Sequence, residues 1–504
     1  MSEPIFLLKS TIQRTIQNTF TQITPLNLIT LFFVTIFTKL VYKLFYEIYL
    51  SPLKHIPGPK ACAFTDVPLR MRRPYGHVYS WYQELHSQYG NVVRVAPGFV
   101  MFSNKEAIRQ IMIEDQFPKN TAIKNIQTNP NVPTLFTMTD PTFHKQRRRL
   151  LSHAFSVKYL SNIEPLIHSC VESLVNKLAS LSNDNDLKSP VVNIYGILQS
   201  MALDVIGETA FGGSFNIVEQ GNHPLPKKVS DEFKRRVICA TFPFLRHFKK
   251  QDPWTQNFTN NIIRERREMN ARGEKRMDLL QMLLDARDEE TGEGLSDFDI
   301  YDQSVEFVMA GSDTTAFTTF MALMLLLHHP EKFRVLMTEF NSLSSDKIPR
   351  HESLKHLTYL NAVINETMRL WPVATGGFSR EAPKDMAING TFVPKGTQII
   401  ASVYSIHHSK EIWGADVEEF VPERWLNEKN KSNLNRHFYP FGGGSRLCIA
   451  MNFSLMEIRI ALAALMINFE FDMVKGQDLE IVHYLTPSLK TKRFDVHVRQ
   501  RNTH

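Results

Sequence analysis

Apolar residues recur at intervals of three and four over five long stretches of the chain, and this spacing predicts amphipathic helices over residues 163–181, 192–209, 299–329, 359–370 and 451–469. Three short segments alternate in-out instead, so 91–96, 397–402 and 493–498 are predicted strands. No internal repeat is visible. The polar stretch 182–186, rich in Asn and Asp, reads as a loop inside a domain rather than a linker between domains.

The N-terminal pattern is different. Residues 15–38 carry no charge, and the second half of that run, 26–37, is almost continuously apolar. Lys39 and Lys43 follow, four apart among Leu40, Val41, Tyr42, Leu44, Phe45 and Tyr46, so the cations can reach one membrane interface while the aromatics line it. We read residues 1–50 as a tail and one transmembrane anchor. A cleaved signal peptide fits less well, because the lead is long and polar and no small-residue cleavage site is clear. The apolar length argues against an ordinary core helix. Ile56-Pro57-Gly58-Pro59-Lys60 cannot continue a helix, which makes 51–60 a stiff, proline-rich hinge before a body spanning 61–504.

Composition narrows the class of that body. A chain of 504 residues, 43% hydrophobic and 22% charged, is globular with a large core. Cys62, Cys170, Cys239 and Cys448 lie far apart, give no disulfide framework and suit a reducing compartment. The net charge of +7 is modest, and no basic stretch is interleaved with aromatics as a nucleic-acid groove requires.

The chemistry concentrates near the C-terminus. Phe441-Gly-Gly-Gly444-Ser-Arg446-Leu-Cys448 holds one cysteine, one arginine and one aromatic ring at fixed offsets in a glycine-rich loop. Glycines let the backbone turn tightly and bring amide N–H groups toward the sulfur, which favours the thiolate, and Arg446 can pair with an acidic cofactor substituent. A lone cysteine is more commonly a small buried hydrophobe, and a Gly-rich run can be a phosphate cradle, but no Gly-Lys-Ser/Thr follows. Structural zinc and iron–sulfur sites need several ligands at close spacing, so a single soft ligand fits haem iron better. The spacing F-x-x-G-x-R-x-C resembles the haem-binding loop of the cytochrome P-450 family.

Three further segments carry the same resemblance, in the family's order. Ala310-Gly311-Ser312-Asp313-Thr314-Thr315 interrupts a buried apolar helix with small and polar residues, a local inconsistency of the kind that marks function. Gly311 and Thr314 are expected to open a groove by weakening the helix ladder; the bland alternative is a hydroxyl bonded back to its own helix. By resemblance this segment crosses the distal face of the haem, Thr314 orienting oxygen and its water and Asp313 helping to deliver protons. Glu366 and Arg369 share a helix face, usually a solvated pair. Followed by Trp371-Pro372, Arg380 and Pro422-Glu-Arg424-Trp425, they resemble the family's buried Glu/Arg/Arg cluster, which would make Glu366, Arg369 and Arg424 structural. Finally, His144-Lys145-Gln-Arg147-Arg148-Arg149 stands where the family typically has Trp-Arg-x-x-Arg. Arg148 is a candidate for a haem propionate, as is Arg380, whereas His144 replaces the usual Trp. Ala450 replaces a commoner Gly. The pairs His328/His329 and His407/His408 are assigned no metal.

The resemblance spans roughly residues 56–500. It implies a mainly α cytochrome P-450 fold with small β-sheets, preceded by one N-terminal transmembrane helix, with haem b between the 299–329 helix and a Cys448 iron ligand. It implies mono-oxygenation of a small apolar substrate by O2, with electrons from a separate NADPH-cytochrome P-450 reductase, since no flavin or nicotinamide fingerprint is present. No nucleic-acid partner is expected. The expected location is the endoplasmic reticulum membrane, with the catalytic domain cytosolic. Segments 123–137, 205–244, 307–315, 373–378 and 484–489, mainly apolar, correspond to the family's substrate-facing regions. The style of the motifs looks like fungal secondary metabolism, a terpenoid first and a polyketide or aromatic scaffold second. An isomerase or dehydratase independent of a reductase, and a non-catalytic haem or scaffold protein, are the rival classes; Asp313 and Thr314 argue against both.

Overall fold

The computed structural model describes residues 24–127, 129, 132–182, 190–247, 251–287, 292–343 and 346–501. Residues 15–23 of the uncharged run and 183–186 of the expected loop lie outside these.

Helix α1 (Pro25–Phe45) starts at an N-capping Thr24 with proline in its first turn, and none of its residues is buried. With the turn Tyr46–Leu50 it forms a 26-residue stretch whose most apolar 18 residues have a mean hydropathy of 1.8, none of those 18 buried by the rest of the chain. That length rises about 39 Å, enough to cross the ~30 Å hydrocarbon core of a bilayer. The helix continues past Lys39 and Lys43, so the span extends beyond the uncharged run. Its far end is fastened rather than free. Glu47 forms an ion pair with Arg94, whose side chain is only 3% exposed, and Arg94 N–H donates to the Pro57 carbonyl. The proline-rich segment is therefore packed on the body.

Arg94 lies on β1 (Val92–Ala96), which pairs antiparallel with β2 (Phe99–Phe102). Chain order then gives α2 (Pro141–Ser152), α3 (Val157–Ser182), β3 (Val191–Asn193), α4 (Ile194–Phe211), α5 (Leu225–Thr241) and α6 (Pro253–Ala271). After α7 (Asp297–His328) and α8 (Thr358–Leu370) come β4 (Phe378–Glu381), β5 (Gln398–Ala401), α9 (Met451–Asn468), β6 (Phe469–Met473), β7 (Ile481–Tyr484), β8 (Thr486–Leu489) and β9 (Asp495–Gln500). The largest sheet has the order β1-β2-β5-β4, with β2 and β5 parallel and Val100 opposite Ile399. A three-stranded sheet, β3-β9-β6, and the hairpin β7-β8 complete the named strands.

The main core is built from α3, α4, α7, α8 and α9. Helix α7 is buried on most sides, as a central helix must be, and carries polar residues such as Asp302, Glu306 and Asp313 among its apolar ones; a Ser296/Asp299 capping box sets its start. It and α9 are long and apolar enough to cross a membrane, yet 72% and 67% of their apolar windows are buried in the protein. A second core lies between the large sheet and residues Ala107–Phe117, and includes Tyr439 at the entrance of the cysteine loop.

Two predicted helices need correcting at their ends. Val191–Asn193 is strand, paired with Asp495–His497, and Asn193 caps α4 through its side-chain oxygen. Two adjacent β-branched valines with a partner strand available outweigh the helical spacing read over 192–209. Phe469 likewise opens β6 rather than ending α9. Helices α5 and α6 escape an apolar-periodicity reading because charged and amide side chains cover most of their faces.

Candidate active site

The cysteine loop begins after Tyr439 and folds back on itself, Cys448 N–H donating to the Phe441 carbonyl at 2.9 Å. Its glycines serve close approach to the 110–116 segment. A Cβ on Gly444, at φ +62°, would come within 2.4 Å of the Met112 carbonyl oxygen, and one on Gly443 within 2.6 Å of Ile113 Cδ1. Gln116 Oε1 accepts the Ser445 N–H at 3.1 Å. The amide that reaches the sulfur comes from Ala450, beyond the glycines.

Cys448 is exposed by surface area while burial raises its thiol pKa. The two together describe a side chain set deep in the protein and open to internal space, and α7 shows the same feature. Ala310 is exposed midway along an otherwise buried helix, with Gly311 and Thr314 partly so.

Lys119 and Arg148 act on the sulfur, and Arg380 and Arg446 stand near those cations. Burial, then Arg446, lowers the Arg380 pKa to about 10; burial and Arg148 lower Arg446 to about 10, with Asp140 opposing. Lys119 falls to about 7, through burial and then Arg380 and Arg446, against weaker pulls from Glu306 of α7 and Cys448. Arg148, also lowered by burial, donates to the Leu447 carbonyl at 2.6 Å. Arg446 donates to the carbonyls of Met138 (2.8 Å) and Thr139 (3.2 Å), and Arg380 to that of Ser379 (2.9 Å). Among the described residues no carboxylate forms an ion pair with any of the four. Buried cations need a counter-charge, so this cradle fits a cofactor bearing acidic groups. His144, only 4% exposed, is held neutral, its pKa lowered to about 3 by burial and then by Arg446, Lys119 and Arg148.

On α7, Thr314 Oγ1 donates to the Ala310 carbonyl at 2.7 Å, the back-bonded arrangement. Asp313, 2% exposed, turns to the other flank, where it accepts from Gln199 Nε2 and stands 3.8 Å from Lys492 Nζ. Gly311 does not open a groove: a Cβ there would meet Ile206 Cδ1 of α4 at 2.2 Å, so the glycine is filled by a neighbouring helix.

The Glu366 carboxylate, fully buried, accepts five hydrogen bonds. Arg369 supplies two at 2.9 Å, Arg424 and Trp425 Nε1 one each at 2.9 Å, and Val421 N–H one at 3.1 Å. The arginines spend their remaining donors on carbonyls of His407, Glu419, Trp413 and Asp416, and Arg424 Nη2 also pairs with the Asp416 carboxylate at 3.2 Å.

Residues 57–497 match the family profile described as Cytochrome P450. The chain belongs to the cytochrome P450 family. It is 34% identical over 461 residues to the cytochrome P450 monooxygenase FUS8 of Gibberella moniliformis, covering 90% of this chain and 89% of that protein. It is 33% identical over 462 residues to the cytochrome P450 monooxygenase acrD of Aspergillus aculeatus, covering 90% and 92%, and 30% identical over 450 residues to cytochrome P450 3A9 of Rattus norvegicus, covering 84% and 87%. This P450 is accordingly an oxygen-incorporating oxidoreductase whose family uses haem iron. The residues present suit that group: one soft sulfur donor has exposed surface, and four cations with no carboxylate ion pair among the described residues lie within electrostatic reach of it or of one another. Lys119 was not visible as a site residue in the sequence of this P450, because it follows Phe117-Pro118 in an aperiodic stretch and only the folded chain brings it to the loop.

Proposed function

We propose that this P450 binds haem b through Cys448 and inserts one oxygen atom from O2 into a small apolar secondary metabolite, a terpenoid first and a polyketide or aromatic scaffold second. Electrons come from a separate NADPH-cytochrome P-450 reductase. Cys448 with Lys119 and Arg148 acting on its sulfur, and Arg380 and Arg446 beside those cations, carries the haem reading. Bound there, a thiolate-ligated haem supplies oxygen activation, the sulfur donating electron density that favours O–O cleavage. Arg148, Arg380, Arg446 and Lys119 would hold the propionates, Phe441 and Gly444 shape the loop, and the domain runs from 61 to 504. Co-expression with a reductase and metabolite profiling of the producer with and without the gene tests the substrate class; an unchanged profile rejects it.

Thr314 and Asp313 manage protons in this reading. The Thr314 oxygen donates to Ala310 and keeps its lone pairs on an accessible face. Asp313 is the buried end of a path that reaches solvent through Lys492, whose side chain is 27% exposed. A Thr314→Ala enzyme is expected to keep haem and substrate binding while product formed per NADPH falls at least about tenfold, the remainder appearing as peroxide. Undiminished coupling assigns the hydroxyl to the helix alone.

Lys39 and Lys43 follow the apolar run, so the body lies on the positively flanked, cytosolic side of the endoplasmic reticulum, within reach of a reductase. Removing residues 1–50 is expected to release much of the protein from microsomes with haem binding intact. Protection of the body from protease in sealed microsomes reverses this topology.

A further inference from the structure

His407 ends the short helix Val403–His407 and is completely buried. It stands between the Glu366 cluster and the cysteine loop, and both its backbone and its ring are engaged. Its carbonyl accepts from Arg369 Nη1 at 2.8 Å. Its ring Nε2 accepts the Tyr439 backbone N–H at 2.9 Å. A nitrogen that accepts carries a lone pair, so the ring is neutral with its proton on Nδ1. Nδ1 has no partner at full hydrogen-bond geometry, although the carbonyls of Met368 and Arg369, at the end of α8, lie close enough to favour a proton there. Phe438 packs against the ring at 5.4 Å and Trp413 meets it edge-on at 6.2 Å, which fixes its plane.

From Tyr439 the connection runs to the sulfur. Pro440 has no N–H, so the Tyr439 amide is the donor at the loop entrance. The Tyr439 carbonyl accepts from Gly442 N–H at 3.1 Å, and the Phe441 carbonyl accepts from Cys448 N–H at 2.9 Å. We infer that His407 is a positioning residue for the thiolate, a neutral imidazole strut that transmits the placement of the Glu366/Arg369/Arg424 cluster to Cys448 through Tyr439. This rests on the reading of Cys448 as the haem ligand. His408, the neighbour in sequence, is outside the route: it stacks on Tyr404 at 4.0 Å and faces Glu418 at 3.7 Å.

The strut makes a demand on chemistry and reach together. Leaving the Tyr439 N–H buried without an acceptor weakens the loop's hold by about a factor of ten. The test follows the reduced carbon-monoxide complex of the full-length holoprotein, timing conversion of the red-shifted Soret band of thiolate ligation to the unshifted band that marks its loss. His407→Leu is expected to convert about tenfold faster than wild type. His407→Gln, whose amide oxygen reaches Tyr439 while its NH₂ faces α8, is expected to keep the wild-type rate. Should the Leu protein fail to fold, His407→Asn decides: one methylene shorter than Gln, it is expected to convert about tenfold faster than the Gln protein. Equal rates for Gln and Asn, or a Leu protein as durable as wild type, overturn the strut. A wild-type protein without the red-shifted band removes the ligand reading and the strut with it, whereas Cys448→Ala lacking the band from the outset, beside a wild type that has it, leaves the ligand reading intact and isolates the conversion rate as the measure of His407.

Discussion

A Cys448→Ala protein will show no red-shifted Soret band after reduction under carbon monoxide and no mono-oxygenase turnover. No other cysteine can substitute. Cys62, Cys170 and Cys239 are buried, and burial raises the thiol pKa of Cys62, and that of Cys170 further still. Cys448 alone is exposed. Burial works against its thiolate too, but the Ala450 amide and the charges of Arg148 and Lys119 pull the other way, and a bound metal ion deprotonates a coordinating thiol outright. Because the cations that would hold the propionates are untouched, the alanine protein is expected to retain some weakly held haem with an altered spectrum. A retained thiolate band in that protein would dismiss Cys448 as the ligand.

Glu366→Ala is expected to be the most damaging substitution away from the haem. One carboxylate with no solvent exposure balances Arg369, shares Arg424 with Asp416, and accepts from an indole and a backbone amide besides. Its removal leaves Arg369 buried without a counter-charge and Arg424 with only the half-exposed Asp416 carboxylate, a cost of about 3–5 kcal/mol, a large share of a typical domain's ~5–15 kcal/mol of stability. The variant should accumulate as haem-free, aggregated protein. Where some folds, its denaturant midpoint should fall steeply. Glu366→Gln, which keeps the shape and one acceptor, should lie between. An alanine variant within about 1 kcal/mol of wild type, in the range of an exposed pair, would show that the cluster is dispensable.

Legibility in the sequence followed the range of the interaction. Long helices with wide apolar faces were readable because burial imposes their spacing over many turns, and α7 and α8 were located within two residues at each end. The Glu366/Arg369/Arg424 arrangement and the cysteine loop were found through motif spacing, since each needs few residues at fixed offsets. Contacts made only by the folded chain were not readable. Gln116 on Ser445, Lys119 near Cys448 and Tyr439 on His407 join segments 32 to 329 residues apart. Gly311 was misread for a related reason: glycine in a helix signals either a weakened ladder or a close neighbour, and only the position of Ile206 tells them apart.

That last contact ties two sites into one unit of inheritance. Ile206 Cδ1 occupies the space a side chain at 311 would need. A lineage can enlarge 311 only if the side chain at 206 turns aside or is trimmed, so what is tolerated at one position depends on the other. Recombination between relatives that settled this volume differently would therefore bring together side chains that must readjust to fit, although neither position need ever touch a substrate.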